Sequence, residues 1–344
     1  MQNEWQTFLE QQGGKIDSQG VLHFANDTKQ DIALVGKQCL MTALNHLGII
    51  HVSGEDAQAF LQAQLSNDIT LVTHDKSQIS AYCNPKGRML AQFLIIPATD
   101  SYFLVLPATI LEKTLMRLRM FVLRSQVQLE DVSDRYVCLG LISDDIADLD
   151  IPLPENDYDL INNKDRYFTK IPASPSRYLV LASIAQAKTL WQMLASGCQG
   201  VSAHSWHWLD IQSGLPTVLK ETVEEFVPQM LNLELIGGVN FKKGCYPGQE
   251  IVARMHYLGK PKRRMYKLHT NSEDLPVPGE NLYLREGDGQ SVGKVVLAEP
   301  SVDQGTDLLA VLRVNHAGSD ALSLGSADGP LVEFKELPYN LESE

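Results

Sequence analysis

Apolar and polar residues alternate through 47–53 (LGIIHVS), as they do in a strand with one buried face, and Gly54 closes the run. A helix is predicted next, with Asp56 near its start and Ala57, Phe60, Leu61 and Leu65 at helical spacing. Residues 79–83 and 89–96 read as two strands joined by the turn Asn84-Pro85-Lys86-Gly87, and 102–106 as a third after Asp100. Leu111, Leu115, Leu118 and Leu123, with Met116 and Phe121, mark an amphipathic helix. The order strand, helix, three strands, helix suits an α+β layer, an antiparallel sheet covered by helices on one face.

The pattern repeats less clearly further on, with strand-like 136–142 and 178–182 and a helix-like stretch over 186–194. Residues 144–159 are acidic and contain proline, and are expected to form an exposed excursion. After Pro261 short apolar runs at 282–284, 292–297, 308–314 and 331–334 stand between turn signals such as Gly287-Asp288-Gly289, the texture of a small β-barrel or sandwich. A boundary near residue 260 therefore divides the chain into 1–259, itself expected to hold two discontinuous α+β subdomains, and 260–344. The last residues, LESE, are expected to be a frayed tail.

Composition narrows this picture. A chain of 344 residues exceeds what one core usually organises, and 44% hydrophobic with 21% charged residues is ordinary for a soluble globular protein. The first twenty residues lack a basic start followed by an apolar run, and no stretch has the length of a membrane span. Five scattered cysteines, 39, 83, 138, 198 and 245, contain no C-x-x-C pair, so neither a disulfide framework nor a zinc site is expected. Free thiols and the absent leader point to the cytoplasm. A net charge of −13 argues against a surface built to grip DNA or RNA. One local exception is the cluster Lys260, Lys262, Arg263, Arg264 and Lys267, with Lys242, Lys243 and Arg254 close in sequence. It reads as a solvated loop or as a seat for a polyanion.

Chemistry concentrates in Lys243-Gly244-Cys245-Tyr246-Pro247-Gly248-Gln249-Glu250. Its two glycines and fixed proline imply a tight bend, and Ile251, Val252, Met255 and Leu258 predict a helix behind it, stopped by Gly259 and Pro261. A thiol just ahead of a helix start, with Lys242 and Lys243 beside it, is expected to favour its thiolate; Glu250 opposes this if it lies close. The flanks of the other four cysteines suit small buried hydrophobes. One cysteine cannot hold an iron–sulfur cluster by itself, so cluster chemistry here would borrow ligands.

The string KGCYPGQE, continued by IVARMHYLGKPKRR, resembles the signature of the YgfZ family, relatives of the glycine cleavage system T-protein. WHWLDIQSGLP (206–216), Phe226-Val227-Pro228-Gln229 and the residues 233–241 are similar to the same family. So are GEDAQAFLQAQLSNDIT and YCNPKGRMLAQFLI near the front. The resemblance implies a T-protein-like folate-binding region of antiparallel sheets and helices around a central cavity, a C-terminal β-barrel, a tetrahydrofolate or folate-derivative ligand and a cytoplasmic location. It implies a role in maintaining iron–sulfur enzymes, including tRNA methylthiotransferases, with transient contact to an iron–sulfur cluster. By motif it carries over Lys243, Gly244, Cys245, Tyr246, Gly248, Gln249 and Glu250. It sets Trp206 near the folate and puts Leu47 in place of a second folate-facing tryptophan.

Two classes remain. An aminomethyltransferase needs a carboxylate to handle the reacting nitrogen. The T-protein has an acidic pair on the strand after the N-x-x-G turn, where this chain has Ala91 and Gln92; Glu55 and Asp68 are the other carboxylates near in sequence. A binding and maturation factor, with Cys245 acting on a partner, keeps the residues that remain. Direct tRNA binding is a third option, disfavoured by net charge.

Overall fold

The computed structural model describes residues 4–16, 22–24, 26–144, 151–287 and 289–341. The chain folds as two compact units, each discontinuous in sequence: residues 1–60, 70–78 and 94–209 form the first, and 61–69, 79–93 and 210–344 the second.

The first unit holds a six-stranded sheet in the spatial order Leu160–Asn162, Arg166–Ile171, Arg177–Ser183, Tyr136–Ile142, Leu40–Ala43, Gln199–Gly200. All its neighbours are antiparallel except the last pair. Helices Glu4–Gln11 and Ile184–Leu194 supply Trp5, Phe8, Leu190 and Trp191 to the core over this sheet. Its other strands are the end of Met89–Ala98, then Ser101–Pro107, Leu47–Ser53 and Gln128–Asp131, in that order. Helix Ala108–Arg119 packs on them through Leu111, which lies where a Cβ on Gly48 would be.

The second unit contains the hairpin of Gln78–Cys83 with the start of Met89–Ala98, the helix Gln249–Leu258, and a curled antiparallel half-barrel. Its six strands run in the order Leu322–Leu324, Asn281–Leu284, Gly293–Pro300, Thr306–Arg313, Arg263–Thr270, Glu333–Lys335. Leu268, Val295, Leu308, Ala310 and Leu312 fill its core. The α+β class with a C-terminal curled sheet is thus as predicted, and strands 47–53, 79–83 and 136–142 lie within a residue of expectation.

Several expectations are corrected. The helix predicted through Leu123 ends at Arg119; Leu123 has φ 47 and is 87% exposed, and Met116 and Phe121 also face solvent. Met116 lies on the solvent face of the helix, and by Phe121 and Leu123 the chain has already turned out of it. Beyond Lys262 the basic run is not a loop: Arg263–Thr270 is a barrel strand, in which Leu268 enters the barrel core with Tyr266 packed against it and Met265 is buried on the opposite face. The acidic excursion is partly anchored. Lys76 bonds Asp159 at 2.5 Å, and Ile151 and Leu153 pack on the first unit's core; residues 145–150 lie outside the described residues. Of the expected tail, 342–344 also lie outside them, as does Asp288 of the expected turn.

The cysteine reading also changes. Parallel pairing of Leu40 with Gln199 and Met41 with Gly200 carries Cys39 and Cys198 to a Cα separation of 4.5 Å, and they form a disulfide. Sequence offered no sign of it, since the partners are 159 residues apart. Cys83 and Cys138 are buried hydrophobes as expected, and burial pushes the Cys83 thiol up to about 12. By chain entropy a bond closing so long a loop stabilises by up to about 5 kcal/mol. Wild type is therefore expected to melt several degrees higher when oxidised than in excess reductant, and Cys39→Ser should melt like the reduced protein in either buffer. A melting temperature that ignores reductant would contradict the bond.

Candidate functional site

The motif segment is held by backbone contact before any side chain acts. Gly248 has φ 83 and caps the helix Gln249–Leu258. A Cβ on it would lie 2.5 Å from the Asn84 carbonyl oxygen and 2.6 Å from Gly87 Cα. Gly87 has φ 71, and a Cβ there would stand 3.1 Å from Ile251 Cβ. The two turns therefore meet at a distance only glycine allows.

Side chains fix both partners. Asn84 Oδ1 accepts from the Lys86 and Arg88 amides, and its Nδ2 donates to Glu224 at 2.7 Å. Met89 and Phe226 are joined through their backbones. Gln229, buried in the Phe226–Gln229 segment, donates Nε2 to the Val252 carbonyl at 2.6 Å, tying the motif helix from its other side. Below the motif, Ser66 Oγ donates to the Gly238 carbonyl and Asn67 Nδ2 to the carbonyls of Ile79 and Gly237.

Within this frame the motif residues separate by role. Lys243 is 8% exposed, and its ammonium donates to the carbonyls of Gln62 and Leu65, each at 2.5 Å. It also stands 5.1 Å from the centre of the Tyr246 ring, a cation–π contact of about 1 kcal/mol. Burial lowers its pKa to about 8, although Asp68 pulls the other way. Tyr246 is buried beside Cys83, and burial raises its phenol. Gln249 donates its side-chain nitrogen to the Lys243 carbonyl at 3.4 Å. Cys245 is exposed, and among the described residues nothing hydrogen-bonds its thiol.

Three details depart from the sequence reading. Lys243 is turned onto backbone carbonyls and is not a free cation beside the thiol, because a buried ammonium takes the nearest strong acceptors. Gly244 has no positive φ and open space around it, so the bend belongs to Gly248 alone. Ile251 and Leu258, counted as an apolar face, are 38% and 82% exposed, while Val252 is buried. Glu250 is exposed in the helix's first turn, where its charge complements the dipole.

The two residues assigned to folate lie in the first unit. Trp206, on helix His204–Gln212, is 4% exposed, with the Arg177 guanidinium 4.5 Å from its ring centre and its carbonyl accepting from Arg177 at 2.9 Å. Gly140 also lies against the indole, where a Cβ would be 2.6 Å from it. Leu47 is half-buried at the start of its strand. Their chain neighbours meet: His46 and His207 approach Nε2 to Nε2 at 3.0 Å. Burial, then the neighbouring imidazoles of His207 and His204, hold the His46 pKa well below its usual value. This pair was missed because histidines 161 positions apart give no periodic signal. The carbonyl cradle of Gln62 and Leu65 was missed for a similar reason, since backbone acceptors leave no mark in sequence. Ala91 is fully buried and Gln92 half-buried on the strand after the Asn84–Gly87 turn.

Among known proteins, residues 12–143 match the family model of the GCVT N-terminal domain. The fold is that of the glycine cleavage system aminomethyltransferase T from Bartonella henselae, with a TM-score of 0.80 over 97% of this chain and 96% of that one, at 17% identity. The chain is thus of the glycine-cleavage T-protein fold. More particularly, it is 28% identical over 318 residues to the tRNA-modifying protein YgfZ of Enterobacter sp. (strain 638), covering 91% of this chain and 97% of that protein. It is likewise 28% identical over 307 residues to the tRNA-modifying protein YgfZ of Escherichia fergusonii, covering 88% and 94%. The likeness to YgfZ proteins read from KGCYPGQE is borne out. Among the described residues no helix is long and apolar enough to cross a membrane.

Lys243 offers a test of the anchor. Its folded pKa of about 8 lies below the unfolded 10.5, so the native state sheds this proton first. The cost of the buried charge is full below about 8 and is relieved as pH climbs from there towards 10.5. In urea unfolding, wild type should gain stability relative to Lys243→Met across that window. A difference between the two that stays flat with pH would contradict the buried ammonium.

Proposed function

We propose that this chain is a folate-binding protein that supports iron–sulfur enzyme maintenance, and through it tRNA methylthiolation, by means of the Cys245 thiol. The observation that carries the reading is the presentation of that thiol. It is exposed, while the residues around it in the motif, Lys243, Tyr246 and Gly248, are spent on holding the loop. A loop built to fix one accessible thiol suits a transient ligand to iron or a mixed disulfide with a client, and a single cysteine needs the partner's ligands to complete either. The similarity to proteins named tRNA-modifying protein YgfZ supports the tRNA end of this role. The GCVT domain match and the T-protein fold support a tetrahydrofolate or related folate ligand. The clients on this reading are iron–sulfur enzymes such as tRNA methylthiotransferases, met in the cytoplasm, and neither DNA nor a membrane is among its partners.

The folate contact falls to Trp206 with Leu47 as its altered second side. Arg177 and Gly140 already pack against the indole, which is 4% exposed, so only a small part of Trp206 is open to folate. Aminomethyl transfer, the competing reading, would need a carboxylate where Ala91 and Gln92 stand, and Asp68 is committed to Gln62 and to the field at Lys243.

In a deletion strain complemented with Cys245→Ala, methylthiolated nucleosides in total tRNA should fall towards the level of the deletion, as read by mass spectrometry. Unchanged modification would refute the cysteine's role. Tetrahydrofolate should quench tryptophan fluorescence of the purified protein, and calorimetry without heat alongside fluorescence without quenching would rule out a folate ligand.

A further inference from the structure

The basic run that follows the motif divides in the fold. Arg264 turns inward and pairs with Glu234, both nearly buried, and Lys267 reaches Gln212 at 3.4 Å. Lys260, Lys262 and Arg263 instead join Arg88 and Arg254 along one groove of about 810 Å³ beside the helix Gln249–Leu258. Among the described residues no carboxylate lines it. Of the acids nearby, Glu225 pairs with Lys294 at 2.6 Å, Glu224 receives Asn84, and Glu250 lies exposed one helical turn before Arg254. Arg88 donates to the Glu225 carbonyl, not to its carboxylate. Among the described residues Arg254, Lys260, Lys262 and Arg263 form no ion pair, in a chain whose net charge is −13. The Arg263 pKa is lowered, first by burial and then by the charges of Arg313 and Arg88, with Glu225 opposing. Guanidiniums crowded beyond what Glu225 offsets are relieved by an incoming anion.

The ligand is more than an anion. The groove's helix side is apolar, formed by Ile251, Met255 and Leu258. A second hollow adjoins it, sharing Met255, Gly259 and Lys260; Phe241, His256 and Tyr266 line it, with Glu234, which Arg264 pairs. There Phe241 and His256 stack at 3.7 Å and 6°, and Tyr257, 63% exposed and outside the hollow's lining, stands edge-on to both. Cations that follow a backbone, with exposed rings beside them, are what a single strand of nucleic acid requires: phosphates along the first and unstacked bases on the second.

We infer that the basic groove and the adjoining aromatic hollow around helix Gln249–Leu258 form a binding site for a single-stranded RNA segment. The choice of RNA rests on the tRNA role proposed above. An acidic peptide would use the cations and leave the rings idle.

Fluorescence anisotropy of a labelled mixed-sequence RNA of about 12 nucleotides, titrated with the whole protein between about 50 and 200 mM salt, tests this. Wild type should bind with a steep salt slope. The double variant Arg254→Glu, Lys262→Glu should bind at least about tenfold more weakly, with a slope shallower by about 1.4, from roughly 0.7 for each phosphate no longer neutralised. Tyr257→Ala should weaken binding about fivefold or more and leave the slope unchanged. All three substituted positions are exposed, and unaltered melting curves would verify folding. No RNA binding at the low salt overturns the site. So does RNA binding that both variants leave intact, and so does polyglutamate binding as tightly as RNA with no effect of Tyr257→Ala. Since the groove variants keep Cys245, failure here leaves the nucleoside result for Cys245→Ala standing on its own.

Discussion

The contact between Gly87 and Gly248 sets what the rest of the motif can do. Two turns far apart in sequence approach until a single methyl on Gly248 would stand 2.5 Å from the Asn84 carbonyl oxygen, and both glycines hold positive φ. Around that contact each neighbour has one task. Asn84 shapes the hairpin turn, Gln229 ties the helix from behind, and Lys243 plugs the carbonyls of Gln62 and Leu65. What is left over is Cys245, held in place at both ends and open to solvent.

This arrangement separates two meanings a motif residue can have. Lysine beside cysteine in sequence suggests electrostatic activation, yet the Lys243 ammonium binds main-chain oxygens under the Tyr246 ring. Its charge serves position. A buried ammonium with strong acceptors is costly to lose but easily held, and it turns a flexible loop into a fixed one. The same division of labour explains why the uncompensated cations lie further along the chain, on Arg254, Lys260 and Lys262, where no acid neutralises them.

The fold was legible where side chains carry a period. The strands at 47–53, 79–83 and 136–142 alternate visibly, and Gly and Pro mark their ends. It was illegible where main-chain geometry or distant pairing decides. Cys39 and Cys198 meet only because their flanking strands run parallel, and the barrel strand Arg263–Thr270 hides beneath its charges because its aliphatic residues Met265 and Leu268 lie three apart, on opposite faces, and show no alternation. At the site, the glycines and the proline announced a bend, but not the turn it packs on. The helix Gln249–Leu258 shows the same limit: its apolar spacing was correctly helical, yet Ile251 and Leu258 face a groove and solvent, not a core.

On the proposed reading, loop geometry, and not the thiol alone, makes Cys245 useful. The decisive quantity is the methylthiolated nucleoside content of tRNA from cells whose only copy carries Gly248→Ala, with Cys245 intact. The extra methyl strains the left-handed backbone of Gly248 by about 1–3 kcal/mol and meets the backbone of Asn84 and Gly87, so the motif must shift off that turn. A folded, soluble variant is expected, with tRNA modification that falls most of the way to the deletion level. Wild-type modification by that variant would contradict the role given to the loop.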